Sequence, residues 1–309
     1  MDRAEVGRLR LTGSDRRAYL QGLLTNDIAA LAPGTGCYAA MLTAQGRMIT
    51  DMRVLELGDE MIVEAPSALA EPVRAHLERF VFSEDVQVAD VTSTRAEIGV
   101  YGPDAARLVE TGTGARDLAR LPLHGSVRAA SGAVVVRGDA FGIDGFDLIA
   151  AASELSALGD ALRGAGAVRA DAADEEAVRI ESGRPLFGID MDADTIPLEA
   201  GLEDRAISRT KGCYVGQEVI VRVIDRGHGR VARHLAGLLF APDAPLPAAG
   251  VRLLSGDREV GRVTSAVFSP SLARPVALGY VHRDFAEPGT ALTTSDGVAV
   301  TVHALPFVG

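Results

Sequence analysis

The chain gathers its chemically distinctive residues in one octapeptide, Lys211-Gly212-Cys213-Tyr214-Val215-Gly216-Gln217-Glu218. Cys213 is one of only two cysteines, Cys37 being the other, and Lys211 is the single lysine among 31 basic residues. A cation beside a thiol raises the thiolate fraction, and the thiolate is the nucleophile and metal ligand. Lysine is a compact charge with a tunable pKa, whereas arginine is a planar fork that stays protonated. One lysine kept among so many arginines reads either as a site that wants an ammonium or as chance. Two readings stand for Cys213: a reactive thiol flanked by Lys211, Arg209 and Arg222, or a small apolar side chain of the kind most free cysteines are. Gly216, Gln217 and Glu218 read as the opening of a helix or tight turn, with both polar side chains capping backbone donors or pointing into a cleft. Cys37 sits among apolar strand residues and reads as core.

Other chemistries find little support. His76, His124, His228, His234, His282 and His303 are scattered, with no His-Glu-x-x-His, no Cys-x-x-Cys and no Gly-x-Ser-x-Gly. Neither a metal site, a disulfide framework nor a serine triad is expected. Asp190-Met191-Asp192-Ala193-Asp194 resembles half a calcium loop but lacks the glycine and terminal glutamate, so it reads as a solvated loop. Arg226-Gly227-His228-Gly229-Arg230 reads as a basic turn, or as a contact for a phosphate or polyglutamate tail. Val219 to Ile224 alternates around Arg222, which is expected to face one cleft with Glu181. A net charge of -11 argues against nucleic-acid and anionic-membrane binding. The absence of a long apolar run and of a signal-peptide layout reads as soluble and cytoplasmic.

The elements that must position these residues are announced by an internal echo. Leu9-Arg10-Leu11-Thr12 alternates like a strand, turns at Gly13-Ser14-Asp15 and continues at helical spacing; Ile98-Gly99-Val100-Tyr101 and Gly102-Pro103-Asp104 do the same. Ser14 and Pro103 stand where a helix start tolerates them. Met61 to Ala65 leads to a helix through Leu77, and Phe146 to Ala150 to a helix through Leu162. Hairpin-like strands lie between, one pair turning at Gln45-Gly46. Each half thus reads as strand, helix, two or more strands, helix, strand. The expected fold is α+β, with mixed antiparallel sheets carrying helices on one face. Pro242, Pro245 and Pro247 read as a joint to a small all-β barrel or sandwich. The divisions are 1-92, 93-230 and 231-309.

The octapeptide resembles the signature of the YgfZ family of folate-binding proteins, Lys-Gly-Cys-aromatic-x-Gly-Gln-Glu, at every position. Gln21-Gly22-Leu23-Leu24-Thr25-Asn26-Asp27 and Pro197-Leu198-Glu199-Ala200-Gly201-Leu202 resemble segments of the same aminomethyltransferase superfamily. That resemblance implies three domains in a ring around a central tetrahydrofolate site. It places Glu181, in Arg179-Ile180-Glu181-Ser182-Gly183, where the glycine-cleavage enzymes hold the pterin, which suits a carboxylate facing an aminopyrimidine edge. It puts Tyr38 and Tyr101 in or near pterin-lining segments and makes Arg222 a partner for folate carboxylates. YgfZ-type proteins are implicated in assembling or repairing iron-sulfur clusters, including those of tRNA-modifying enzymes. By that likeness Cys213 engages a cluster, sulfur species or client transiently, with Lys211 favouring its thiolate.

Departures from the glycine-cleavage pattern are also visible. The Gly-Gly-x-x-Asp-Asp segment reads Gly46-Arg47-Met48-Ile49-Thr50-Asp51 here, leaving Asp51 as its one acid, and Gln217 replaces a basic residue. Three classes follow: an iron-sulfur accessory factor, a tetrahydrofolate-dependent aminomethyltransferase, and a folate-binding module without chemistry of its own.

Overall fold

The computed structural model describes residues 1, 3–227 and 229–308, so His228 of the basic turn lies outside the described residues. Its first unit runs β1 (Val6–Thr12), α1 (Arg16–Leu23), β2 (Thr35–Leu42), β3 (Met48–Glu56), β4 (Met61–Pro66), α2 (Ala70–Glu78) and β5 (Gln87–Asp90). The second runs β6 (Arg95–Tyr101), α3 (Ala105–Thr113), β7 (Ser126–Arg128), β8 (Val134–Gly138), β9 (Gly145–Ala151) and α4 (Leu155–Gly164). The sheets are ordered β2-β3-β4-β1-β5 and β7-β8-β9-β6, and their ladders are antiparallel. The echo in sequence is therefore an echo in topology. It stops short of β5: the strand expected to close the second half is replaced by α5 (Ala172–Glu181), and Met1 and Arg3 take backbone bonds along the edge of β6. The helix caps also fall one residue later than expected, on Asp15 and Asp104. Ser14 and Asp15 instead bond Asp85, fastening the turn to the start of β5.

Period-two alternation gives each sheet two faces. Leu9, Leu11, Met52, Val54, Met61 and Val63 point to α1 and α2; Val100, Val135, Phe146 and Leu148 point to α3 and α4. The opposite faces meet each other. Leu55, Ile62, Val134, Val136 and Ile149 form an apolar plug between the sheets, and Arg8, Arg53, Glu64, Glu97 and Asp147 form an ionic layer beside it. Matching Leu9 to Ile98 through the ladder registers makes Arg8 equivalent to Glu97, and Leu55 to Val136. Arg8 pairs with Glu97 at 2.8 Å, and Leu55 and Val136 share the plug. Equivalent positions that touch are the mark of an isologous, pseudo-two-fold interface.

After α5 come α6 (Glu203–Ala206), α7 (Gln217–Val221), a π-helical turn at Arg222–Arg226 and six barrel strands. These are β10 (Arg233–Phe240), β11 (Arg252–Ser255), β12 (Arg258–Ser269), β13 (Arg274–His282), β14 (Ala291–Thr294) and β15 (Ala299–His303), closed in the order β10-β13-β12-β11-β14-β15. Closure leaves no sheet edge and distinguishes a barrel from a sandwich. The proline-rich joint does not precede the barrel, as expected, but links β10 to β11 within it. A second correction concerns Asp190. It is not solvated: its carboxylate is buried, pairs with Arg179 at 2.7 Å and accepts from Thr264 and Ser265 of β12. The stretch from Phe187 to Val231 packs on Tyr38, Ala40, Leu42 and Met48, and so covers the first sheet although it follows the second unit in sequence.

Candidate functional site

Beside the apolar plug the facing sheets carry a cluster of polar side chains. Alternation on β2 and β3 turns Tyr38 and Asp51 the same way, and the Tyr38 hydroxyl donates to Asp51 Oδ2 at 2.5 Å. Burial pushes the Asp51 carboxyl above its ordinary range, against the stabilising pull of the phenol and of Arg205. The Arg205 guanidinium stacks over the Tyr38 ring, 4.8 Å from its centroid. Asp139, from the turn after β8, accepts from Arg184 at 2.6 Å and from Arg205 at 3.3 Å. On the second sheet Tyr101 donates to Asp147, accepts from Arg3 at 2.9 Å and meets Phe141 edge-on; Arg53 of β3 bonds the same Asp147 across the gap.

His124 lies within the field of Arg53, Asp139, Arg205 and Asp147. It adopts the left-handed backbone region, φ 61°, which side chains other than glycine seldom occupy. Its ring Nδ1 is buried without a hydrogen-bond partner among the described residues, and burial pulls its pKa down to about 4. Strain, an unpaired polar atom and suppressed ionisation at one residue single out His124 as a candidate site residue.

The octapeptide forms a separate surface loop. Lys211 turns inward, and its ammonium donates to the carbonyls of Gln21 (2.7 Å), Leu24 and Asn26 (2.9 Å) at the end of α1. It also sits 4.9 Å from the Tyr214 ring centroid, and burial lowers its pKa to about 8. Its three hydrogens are thus committed to carbonyls, and it lies within the field of Cys37, whose thiol burial pushes up to about 12. Cys213 is exposed. Gln217 accepts the Tyr214 N–H at 3.2 Å within the loop, while the start of α7 carries no side-chain cap and Glu218 is exposed there. Gly216 needs its φ of +82°, and a Cβ there would stand 2.5 Å from the Thr43 carbonyl.

Other expected site residues lie apart from the hydrogen bonds of that polar cluster. Glu181 is buried, and its carboxylate accepts from Ser269, from the Ser271 hydroxyl and from the Ser271 N–H, tying α5 to the turn after β12. Arg222 is exposed at the head of the π-helical turn. Sequence reasoning missed Arg53, His124, Asp139, Asp147, Arg184 and Arg205. Asp147 had a signal, a charge inside the apolar run Phe146 to Ala150. His124 and Arg205 had none, because their neighbours arrive from distant segments.

The chain matches the sequence profile described as the GCVT N-terminal domain over residues 1–211, and that of the glycine cleavage T-protein C-terminal barrel domain over residues 233–308. It is 31% identical to the aminomethyltransferase of Saccharopolyspora erythraea, across 99% of this chain and 85% of that protein. It is 29% identical to the aminomethyltransferase of Rubrobacter xylanophilus, across 99% and 82%. The crystal structure of the glycine cleavage system aminomethyltransferase T from Bartonella henselae superposes with a TM-score of 0.89 at 26% identity, covering 99% of this chain and 85% of the other.

Proposed function

Because the chain belongs to the glycine cleavage T-protein family, we propose that its inter-sheet cleft binds tetrahydrofolate or a one-carbon derivative of it. The carrying observation is the orphaned ring nitrogen of His124 in a cleft that also offers Tyr38, Asp51 and Tyr101. A pterin presents a planar face and an edge of alternating donors and acceptors, which such a set of aromatic and polar groups suits. Asp51 would hold or move a proton at a ligand nitrogen, because a carboxyl raised above its ordinary range is a better acid-base group near neutrality. Bound folate would supply a one-carbon acceptor. Glu181 contributes indirectly, by setting the barrel against α5.

The finer reading is a YgfZ-type accessory protein of the cytoplasm that supports iron-sulfur cluster assembly or repair, and through it tRNA-modifying enzymes. Its support is the exposed thiol of Cys213 on a loop fixed by Lys211 and Gly216. The second reading, an aminomethyltransferase, is favoured by the names of the relatives and by Asp51. Calorimetry with tetrahydrofolate tests the shared premise: no binding by folded protein would sink both. The readings then separate by substitution. Cys213→Ala is expected to abolish restoration of iron-sulfur enzyme activity in cells lacking the protein while leaving folate affinity unchanged, and restoration by that variant would rule out the accessory role. Aminomethyl transfer that is lost in Asp51→Asn would instead establish the transferase.

A further inference from the structure

Arg184 and Arg205 are drawn to one carboxylate, and each gives it a single nitrogen. Nη2 of Arg184 donates to Asp139 Oδ2 and Nη2 of Arg205 to Asp139 Oδ1. Among the described residues neither guanidinium makes another ion pair within 4.0 Å, and Nε of Arg184 is buried with no acceptor. Both side chains are partly enclosed, at 23% and 27% exposure. Burial and the neighbouring Arg205 charge together lower the pKa of Arg184, the response of cations with too few anions near them. A guanidinium has five N–H donors in a fixed fork that fits a carboxylate two at a time. Two forks sharing one carboxylate through one nitrogen each leave donors on both unused. His124, within the field of Arg205 and Asp139, is held neutral and adds no positive charge.

We infer that Arg184 and Arg205 form a carboxylate-binding subsite at the edge of the cleft, with Asp139 as the internal counter-ion that keeps the pair together when no ligand is bound. The inference rests on reading the cleft as a ligand site and adds a second point of recognition to it. The carboxylate has two possible sources, the tail of the folate itself or a separate small acid bound next to it, and both present the same group to the forks.

The test is calorimetry on the full-length protein with glutarate, tetrahydrofolate and 6-methyltetrahydropterin, which lacks the carboxylate tail. Glutarate is expected to bind, and Arg184→Gln or Arg205→Gln to weaken that binding about ten- to hundred-fold, the loss typical of a charge-assisted pair. If the folate tail is the source, glutarate competes with tetrahydrofolate, and both variants weaken tetrahydrofolate but not 6-methyltetrahydropterin. If a separate acid is the source, glutarate binds the tetrahydrofolate-loaded protein and the variants leave folate affinity alone. Asp139→Asn frees both guanidiniums and is expected to tighten glutarate binding, which serves should an arginine variant fail to fold. No glutarate binding by the wild type, or equal binding by folded wild-type and Asp139→Asn proteins, would overturn the subsite. Failure of tetrahydrofolate to bind, with glutarate bound, would overturn the folate reading and leave the subsite standing.

Discussion

His124 concentrates at one residue what makes a buried ionisable group costly. Its folded pKa is about 4 against an ordinary 6.5, so between those values the unfolded chain binds the extra proton and the folded one does not. Stability contributed by the neutral imidazole is therefore present above pH 6.5 and is lost as pH falls toward 4, by up to about 3 kcal/mol at 1.36 kcal/mol per unit. Urea unfolding of wild type and His124→Gln at pH 7.5 and pH 4.5 checks this: the wild type is expected to lose more stability than the variant. Equal losses would mean that the imidazole is protonated without penalty. Nothing local in Leu123-His124-Gly125 announces this role. The residues around it come from β3, from the turn after β8 and from α6, and no spacing rule brings them together. By contrast Tyr38 and Asp51 were legible, because resemblance named both and period-two alternation across one hairpin turns them the same way.

At the scale of elements, the repeat was readable because strand, turn and helix recur with the same punctuation, down to Gly13 and Gly102 with φ of 101° and 113°. The missing counterpart of β5 in the second half and the place of the Phe187–Val231 stretch were not, since each depends on long-range packing rather than local pattern. The octapeptide loop belongs to this scale as well. Its lysine was expected to serve the Cys213 thiol; in the structure the ammonium closes the carbonyl end of α1, where a cation also meets the negative end of the helix dipole. Lys211→Met is expected to cost about 1–3 kcal/mol, as buried carbonyls lose their donor. Lys211→Arg should not restore it, because a planar fork cannot reach three converging oxygens. Hydrogen exchange over residues 208–218 should rise in both variants; a protected loop in Lys211→Met would show that the lysine is not the fastener. The two glycines divide in the same way. Gly216→Ala meets the Thr43 carbonyl and a positive φ, and is expected to cost about 2 kcal/mol or more, whereas Gly212→Ala meets none of the described residues within 4 Å and should be tolerated in thermal melts.

Across the whole molecule, one buried node joins the barrel to the α+β body and reaches the cleft. Asp190 pairs with Arg179 of α5, accepts from Thr264 and Ser265 of β12, and takes the Leu186 N–H at 3.1 Å. Arg179, 1% exposed, also donates to the Arg184 carbonyl at 2.7 Å, so the backbone that presents Arg184 to Asp139 hangs from the same guanidinium. Removing one member of a buried ion pair strands the other, at a cost of about 3–5 kcal/mol, whereas replacing both by apolar residues of similar volume is often neutral. Arg179 keeps Glu176 as a second carboxylate at 2.8 Å, so Asp190→Ala is expected to cost toward the low end of that range, about 3 kcal/mol, in urea unfolding, and Arg179→Met/Asp190→Leu to recover part of it, since Thr264, Ser265 and the Leu186 N–H still lose their acceptor. The double variant separates two consequences that the single one confounds. It restores the packing of α5 on the barrel but not the bond from Arg179 to the Arg184 carbonyl. If that bond positions the arginine pair, the double variant will be stable yet bind glutarate more weakly than the wild type. A stable double variant with wild-type affinity would show that Arg184 is placed by Asp139 alone, and that the barrel contributes enclosure to the cleft without aiming its charges.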